Sequence, residues 1–409
     1  MKVAGLSRIA RLGDTVQLGE GRSDGLGQVV RIEKDTILVK PFTSCSSALM
    51  GTRALFRGPI GVAPNLDWRG RALNALGDPV DQQGSIFSSS RADPVGRAAP
   101  EPMTRRPVDQ PIKTGVPAID VFTPLCRGQR IGIFAAAGLG KTSLLMQLAN
   151  APEAGQVILC LVGERGREVG EIHQAALKAT ENTAITISAT ADESSLMRRL
   201  AAYTGIAAAE YFRDQGQDVL LIMDSITRFA QASREVALSS GEAPVARGYP
   251  PSVFNELPKI LERVSASRSR PGSITGIFSV LVEGDDHNEP VSDCVRSVLD
   301  GHINLSKEIA SLGRYPAIDI LTSVSRVADR ALPDTSRELA RQARSLISRY
   351  EDSRELRSIG AYQRGSDPEL DRAVALVPHI YDLISKTDST DSGADEEPFA
   401  QLSKILTPA

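Results

Sequence analysis

The stretch IGIFAAAGLGKTS, residues 131–143, decides the fold that is expected of this 409-residue chain. An apolar run, typical of a buried strand, leads into a small flexible loop that ends in Gly-Lys-Thr. A helical pattern of apolar residues follows at once. This is the order of a phosphate-binding loop between its strand and its helix. The glycine that usually stands six residues before the lysine is replaced by Ala135.

The polar parts of this loop suit nucleotide binding. Gly138 and Gly140 let the backbone curl so that its N–H groups point at phosphate oxygens, and the helix N-terminus adds positive potential. Lys141 is expected to reach the β- and γ-phosphates, and Thr142 to ligate Mg²⁺. The predicted ATP-binding residues of the loop are Ala136, Ala137, Gly138, Leu139, Gly140, Lys141, Thr142 and Ser143.

The composition is that of an ordinary soluble globular protein, with 41% hydrophobic and 24% charged residues. A net charge of −3 and only 4% aromatic residues give no support for nucleic-acid binding. The length allows two or three domains. The four well-separated cysteines, Cys45, Cys126, Cys160 and Cys294, are interpreted as reduced thiols. No apolar segment is long enough to span a membrane.

The N-terminal part, residues 1–70, is expected to be a small β-barrel domain. Short apolar runs at 16–18, 27–32 and 36–40 alternate with Gly, Asp and Ser turns. The barrel is either an RNA-binding module or an assembly collar, and the lack of clustered aromatic and basic residues favours the collar. A Pro-rich connection at 92–113 is expected to be extended.

The middle part, residues 71–333, is expected to be an α/β domain with a parallel sheet, because apolar strands alternate with helical patterns from residue 128 onward. Strands are predicted at 157–162, 185–188, 219–223, 274–281 and 318–321.

Residues 334–409 are expected to form a small C-terminal helical domain. An acidic stretch at 387–397 is interpreted as a flexible linker. The last amphipathic segment is expected to dock on the body, with partner binding as the alternative.

Two motifs at strand ends add acidic side chains. Asp224 ends the strand 219–223 and suits a role near Mg²⁺ through a water, or as the cap of the next helix. Glu164 follows the strand 157–162 and is placed to polarise a water that attacks the γ-phosphate, while Glu168 suits a Mg²⁺-bound water. A solvated charge cluster is the other interpretation of Glu164 and Glu168.

An arginine, Arg326, follows the predicted strand 318–321. It is expected to reach a phosphate in its own or a neighbouring subunit, as an arginine finger does. A surface salt bridge is the alternative.

Six phrases of the chain closely resemble the type III secretion ATPases, the family of the flagellar protein-export ATPase and the injectisome ATPase, which is related to rotary ATPase subunits. The resemblance runs from about residue 3 to 375 and is strongest from 128 to 326. The phrases are GERGREV (163–169), LIMDSITR (221–228), RGYPPSVF (247–254), VEGDD (282–286), DGHI (300–303) and YPAID (315–319).

The resemblance implies an N-terminal β-barrel, a RecA-like P-loop ATPase core and a C-terminal helical domain, in homohexamers with active sites between subunits. It implies that Glu164 is the catalytic carboxylate with Arg165 beside it, and that Arg326 is the finger from the adjacent subunit. Tyr315 matches the adenine-stacking tyrosine, and residues 241–254 resemble the segment that lines the central pore. Catalytic roles are thus expected for Lys141, Glu164, Arg165 and Arg326.

The function implied is ATP hydrolysis with Mg²⁺ that energises protein export, with a flagellar system favoured over an injectisome. The expected partners are a stator-like regulator, a central stalk protein, export substrates and chaperones, at a cytoplasmic location peripheral to the inner membrane. The resemblance begins almost at Met1, where many relatives carry a leading segment that binds the regulator; this contact could instead use the C-terminal tail. The alternatives are a rotary ATPase catalytic subunit, a non-catalytic ring subunit, which Glu164 argues against, and an RNA-dependent helicase, which the acidic balance argues against.

Overall fold

The structure is a computed structural model that describes all residues except 20–24, 44–48, 87–91, 152, 154, 283–288, 386–396 and 408–409. Three features of the sequence analysis therefore lie outside the described residues. These are Cys45, positions 283–286 of the VEGDD phrase, and positions 387–396 of the acidic linker.

The N-terminal residues form a five-stranded antiparallel sheet with the order β1-β4-β3-β2-β5. Its buried side is apolar, with Val16, Val29, Ile37 and Val39 at its centre. Within the described residues, the edge strands β1 and β5 do not pair with each other, so the sheet is an open version of the predicted barrel. The strands are β1 (Lys2–Ala4), β2 (Asp14–Leu18), β3 (Leu26–Ile32), β4 (Thr36–Pro41) and β5 (Ala54–Pro59).

The centre of the molecule is an eight-stranded sheet with the order β17-β16-β11-β15-β14-β12-β13-β7, in which only the edge strand β17 runs antiparallel to its neighbour. Its strands are β7 (Ala72–Asn74), β11 (Arg130–Ala135), β12 (Gln156–Glu164), β13 (Ile185–Thr190), β14 (Asp218–Asp224), β15 (Ser273–Leu281), β16 (Gly301–Asn304) and β17 (Val324–Ser325). Two short ribbons, β6 (Gly61–Val62) with β8 (Asp93–Pro94) and β9 (Pro111–Ile112) with β10 (Leu125–Cys126), accompany the connecting segment.

The helices cover both faces of this sheet. They are α1 (Pro117–Phe122), α2 (Lys141–Ala149), α3 (Gly166–Ala179), α4 (Ser195–Asp214), α5 (Ile226–Ser239), α6 (Pro251–Leu261), α7 (Pro290–Val298), α8 (Lys307–Ser311), α9 (Ala328–Ala331), α10 (Asp334–Asp352), α11 (Arg354–Ser358), α12 (Pro368–Ile384) and α13 (Pro398–Leu406), with 3-10 turns at Leu66–Trp68 and Pro102–Thr104.

Successive side chains of the central strands enter two different cores, because side chains alternate across a sheet. In β12, Ile158 and Cys160 join the core under α4 and α5, whereas Val157 and Leu159 join the core under α2 and α3. The second core also contains the buried faces of α10, α12 and α13. The C-terminal helices are therefore packed on the central α/β body, and the α/β fold class with added β and helical parts is confirmed.

The predicted strand at 318–321 is wrong. Here the Asp319 carboxylate accepts hydrogen bonds from the backbone N–H groups of Leu321 and Thr322, at 2.9 and 3.2 Å. This side chain replaces a strand partner and makes a turn. The last strand forms later, as β17.

The tail and the thiols behave as expected where they are described. Leu402 and Leu406 of α13 are buried, so the last amphipathic segment docks on the body. Cys126 and Cys160 are free and buried, and burial raises the pKa of the Cys126 thiol to about 12. None of the described helices is both long and apolar enough to cross a membrane.

Candidate nucleotide-binding and catalytic site

The phosphate loop lies between β11 and α2, at the carboxyl edge of the sheet. Gly138 and Gly140 have φ angles of 82° and 80°, a region that L side chains rarely adopt. Gly140 stands at the start of α2, and no side chain caps this helix. The first N–H groups of α2 are therefore available to phosphate oxygens. Thr142 and Ser143 are exposed on the first turn.

Lys141 meets Asp224 across the sheet edge. The ammonium Nζ lies 2.5 Å from Oδ1 of Asp224, whose residue is only 2% exposed. A buried carboxylate needs such a partner, because an unpaired charge in the interior is strongly unfavourable. Ser225, and not Asp224, caps the following helix α5, by accepting from the N–H of Arg228. The capping alternative for Asp224 is thus not what the structure shows.

Ser279 completes this contact and was not predicted from the sequence. Its hydroxyl donates to Oδ1 of Asp224 at 2.5 Å and lies 3.5 Å from Nζ of Lys141. Ser279 belongs to β15, which runs between β11, the strand that precedes the phosphate loop and Lys141, and β14, the strand that ends in Asp224. The available signal was weak, because β15 contains three buried hydroxyl side chains, Ser273, Thr275 and Ser279, and each of them needs a partner.

Glu164 ends β12 on the same edge, after a bulge at Val162 that interrupts its pairing with β13. Burial raises the pKa of the Glu164 carboxyl to about 7, and the charge of Asp224 and a hydrogen bond with Glu168 add to this effect. The nearby Lys141 ammonium acts in the opposite direction. A carboxyl that titrates near neutral pH is suited to proton transfer and to orienting a water.

Arg165 and Glu168 lie at the start of α3. The Arg165 guanidinium is 84% exposed and donates to Oε1 of Glu168 at 3.2 Å. Glu168 thus contacts both Arg165 and Glu164, so Glu164 and Glu168 are not merely a solvated charge cluster. Arg165 itself points to solvent, on the outer side of the site.

Tyr315 lies beside the phosphate loop, close to Gly140. Its ring carbons Cδ1 and Cε1 are 3.6 Å from the place where a Cβ on Gly140 would stand. The residue is 46% exposed, so a face of the ring is accessible.

Arg326 lies near the amino ends of β11 and β16, at the end of the strands opposite to the phosphate loop. Its backbone N–H donates to the carbonyl of Asp300, and the N–H of Asp300 donates to the carbonyl of Arg130, the first residue of β11. The phosphate loop follows the last residue of β11. At about 3.3 Å per residue, this strand separates the two positions by about 17 Å. Arg326 is exposed.

The sequence of the chain matches a known family over its central and C-terminal parts. Residues 115–325 match the nucleotide-binding domain of the ATP synthase alpha/beta family. Residues 332–402 match the C-terminal domain of the type III secretion EscN ATPase. The chain belongs to the ATP synthase alpha/beta family, in its type III secretion branch. It is therefore an ATPase, and the site described above lies within the residues that match the nucleotide-binding domain of the family.

The proteins similar to this ATPase include flagellum-specific ATP synthases and type III secretion system ATPases. The flagellum-specific ATP synthase of Agrobacterium fabrum is 45% identical over 404 residues, which cover 99% of this chain and 85% of the relative. The assembled ATPase EscN of the enteropathogenic E. coli type III secretion system is 37% identical, with a TM-score of 0.90 over 97% of this chain and 96% of EscN. EscN in the structure of its complex with the central stalk EscO is 36% identical to this chain, with a TM-score of 0.89 and the same coverage of both chains.

Proposed function

We propose that this ATPase energises protein export through a flagellar type III secretion apparatus, as a homohexamer with catalytic sites between subunits. One observation carries the proposal. Lys141, Asp224 and Glu164 meet at one edge of the sheet, while Arg326 is exposed at the other edge. A ring of identical subunits brings the two edges together, because each head-to-tail contact joins one surface of a subunit to a different surface of its neighbour. The assembled state of EscN supports such a ring.

The chemistry proposed is in-line attack of water on the γ-phosphate, which breaks the bond between the γ-phosphorus and the bridging oxygen and releases ADP and phosphate. The N–H groups of the phosphate loop and Lys141 hold the phosphates, and Glu164 in its ionised form orients the water and accepts its proton. Arg326 of the adjacent subunit balances the charge that develops in the transition state. Tyr315 offers its ring face to the adenine base.

The residues present fit Mg²⁺. Thr142 offers a hydroxyl, and Asp224 and Glu168 offer carboxylates that act through water, all oxygen ligands of the kind that Mg²⁺ takes. The described residues contain no group of three or more His, Cys, Asp or Glu side chains that could hold a metal alone. The nucleotide phosphates would thus supply the remaining ligands of the ion, and the ion would neutralise part of their charge.

The partners proposed follow from the relatives. EscN binds a central stalk, EscO, and we assign a stalk contact here to residues 241–254. This segment is mostly exposed before α6 begins, and Val245 in it is 60% exposed. A stator-like regulator, export substrates and chaperones, and a peripheral position at the inner membrane complete the proposal.

The direct test replaces Glu164 by Gln, which keeps the shape of the side chain and removes its charge. Glu164→Gln is expected to retain ATP binding and to lose at least about 100-fold in turnover. Turnover at the wild-type rate would exclude Glu164 as the base.

The system is tested in cells. Deletion of the gene is expected to stop export of flagellar hook and filament proteins and to be reversed by the wild-type gene but not by Glu164→Gln. The likeness to EscN supports an injectisome as the second candidate. Normal flagella together with lost effector secretion would favour that system. RNA-stimulated hydrolysis would favour a helicase.

A further inference from the structure

Arg314, the residue before Tyr315, is held by side chains of the C-terminal helices. Its guanidinium carbon lies 3.9 Å from the centre of the Tyr381 ring in α12. Its Nη1 lies 3.6 Å from Oε1 of Glu351 in α10. The Tyr381 hydroxyl donates to the same Glu351 oxygen at 2.6 Å. These three side chains, which we name the Arg314 triangle, join one loop of the nucleotide-binding body to two helices.

The loop that carries Tyr315 is fixed to the sheet only at its base. The N–H of Ser306 donates to the carbonyl of Ala317, and the N–H of Asp319 donates to the carbonyl of Asn304. Between these two bonds the chain leaves the sheet, forms α8 and returns through Arg314 and Tyr315. The position of Tyr315 therefore depends on contacts that this outer part makes elsewhere.

Packing alone does not fix this outer part of the loop. A cavity of about 180 Å³ lies between it and the C-terminal helices, lined by Ile309 and Leu312 on the loop side and by Ile347 on α10. Close-packed side chains hold one another in place, and a cavity of this size removes part of that constraint. The Arg314 triangle borders the same cavity and supplies a directed contact there.

The Tyr381 hydroxyl keeps its proton at neutral pH. Burial, and then the hydrogen bond to Glu351, raise the pKa of the Tyr381 hydroxyl, so it remains a donor. Arg314 and Glu351 are about one quarter exposed, at 27% and 28%. A guanidinium on an aromatic face in such partial burial is stronger than a fully solvated contact.

We propose that Arg314 is a positioning residue for nucleotide binding: the C-terminal helices, acting through the Arg314 triangle, hold the Tyr315 ring beside the phosphate loop. The proposal rests on the proposed function, in which Tyr315 stacks on the base. Loss of the triangle then weakens binding of the base and not of the phosphates.

The test compares ligands with and without a base in the full-length assembled enzyme. Arg314→Ala is expected to raise the KM for ATP about five- to tenfold, part of the effect of losing one stacked base. It should leave kcat within about twofold and the inhibition constant of tripolyphosphate unchanged, because tripolyphosphate uses only the loop. In a Tyr315→Ala background, Arg314→Ala should have no further effect on KM.

Variants of Tyr381 separate the ring from the hydroxyl. Tyr381→Leu should repeat the effect of Arg314→Ala, whereas Tyr381→Phe retains the ring under the guanidinium and should keep KM within about twofold.

Arg357 supplies the matched control. Its guanidinium carbon lies 3.5 Å from the centre of the Tyr350 ring, a contact of the same kind that does not touch the loop. Arg357→Ala should leave the KM for ATP unchanged. The proposal is overturned if Arg314→Ala leaves KM unchanged, weakens tripolyphosphate equally, or has the same effect as Arg357→Ala. A wild-type enzyme that does not hydrolyse ATP would instead overturn the proposed function.

Discussion

The ammonium of Lys141 lies 2.5 Å from Oδ1 of Asp224, although the two residues are 83 positions apart in the chain. The parallel sheet brings them together. Lys141 begins the helix after β11, Asp224 ends β14, and β15 between these strands contributes Ser279 to the contact. The lysine that we propose to bind the phosphates and the carboxylate that we propose to act near Mg²⁺ thus form one ion pair, and stability and activity are expected to be linked there.

Removing the lysine should destabilise the fold as well as abolish nucleotide binding. Lys141→Ala leaves the buried Asp224 carboxylate without its cation, which costs about 3–5 kcal/mol. Urea unfolding measures this loss. The double variant Lys141→Ala with Asp224→Asn should recover most of the stability without regaining ATP binding. An unchanged unfolding midpoint for Lys141→Ala would show that the pair does not stabilise the fold.

The hydroxyl of Ser279 should matter for turnover. Ser279→Ala removes the hydrogen bond that orients Asp224, and we expect kcat to fall about tenfold, which equals ~1.4 kcal/mol. Ser279→Thr keeps the hydroxyl and serves as the control, with near wild-type turnover. Equal turnover in the Ala variant and the wild type, measured at saturating Mg²⁺-ATP, would remove Ser279 from the site.

The pH profile of the enzyme should report Glu164. Its pKa is raised to about 7 in the folded protein. The ionised form is the base, so kcat/KM should rise with pH and level off above about 7. A profile without an inflection between pH 6 and 8 would argue against this assignment.

The same carboxyl should make stability depend on pH. Its pKa in the folded protein lies above the ordinary glutamate value of 4.5, so the folded state binds the proton more tightly than the unfolded state. This contribution to stability is complete below pH 4.5 and is lost as pH rises through about 7. The stability of Glu164→Gln relative to the wild type should therefore be greater at pH 8 than at pH 5. Thermal unfolding of both proteins at pH 5 and pH 8 measures this difference.

The phosphate loop should tolerate substitution at Ala136 but not at Gly138 or Gly140. Gly138 and Gly140 hold positive φ angles, and a β-branched residue there costs at least about 1–2 kcal/mol of strain. We expect Gly138→Val and Gly140→Val to abolish ATP binding, as measured by calorimetry. Ala136→Gly should bind ATP nearly as the wild type does. Tight binding by either valine variant would contradict the backbone role of these glycines.

The sequence was sufficient where a local pattern sets the chemistry. The phosphate loop, Asp224 and Glu164 each stand directly after an apolar strand, and parallel strands bring their carboxyl ends to one edge. The α/β class followed from the same alternation. The family matches confirm the resemblance to the type III secretion ATPases, and this resemblance added the expectation of a ring and the expected roles of Arg326 and Tyr315.

The remaining features depend on three-dimensional packing. Ser279 contacts Asp224 only because β15 is inserted between two strands that are distant in the chain. The 318–321 segment has an apolar pattern, but the Asp319 side chain makes a turn there. Arg314 could not be paired with Tyr381 from spacing, since the partners belong to different parts of the fold. The position of Arg326 at the far edge of the sheet follows from the antiparallel β17, which the sequence did not predict.

The central claim is that each catalytic site is shared by two subunits, and subunit mixing tests it most directly. Arg326→Ala and Glu164→Gln are each expected to be inactive. In rings of both variants, about one quarter of the sites combine an intact Glu164 with an intact Arg326 from the neighbour. ATPase activity should therefore reappear on mixing, with a maximum near equal amounts. Mixed rings that are shown to form and yet remain inactive at every ratio would contradict the account.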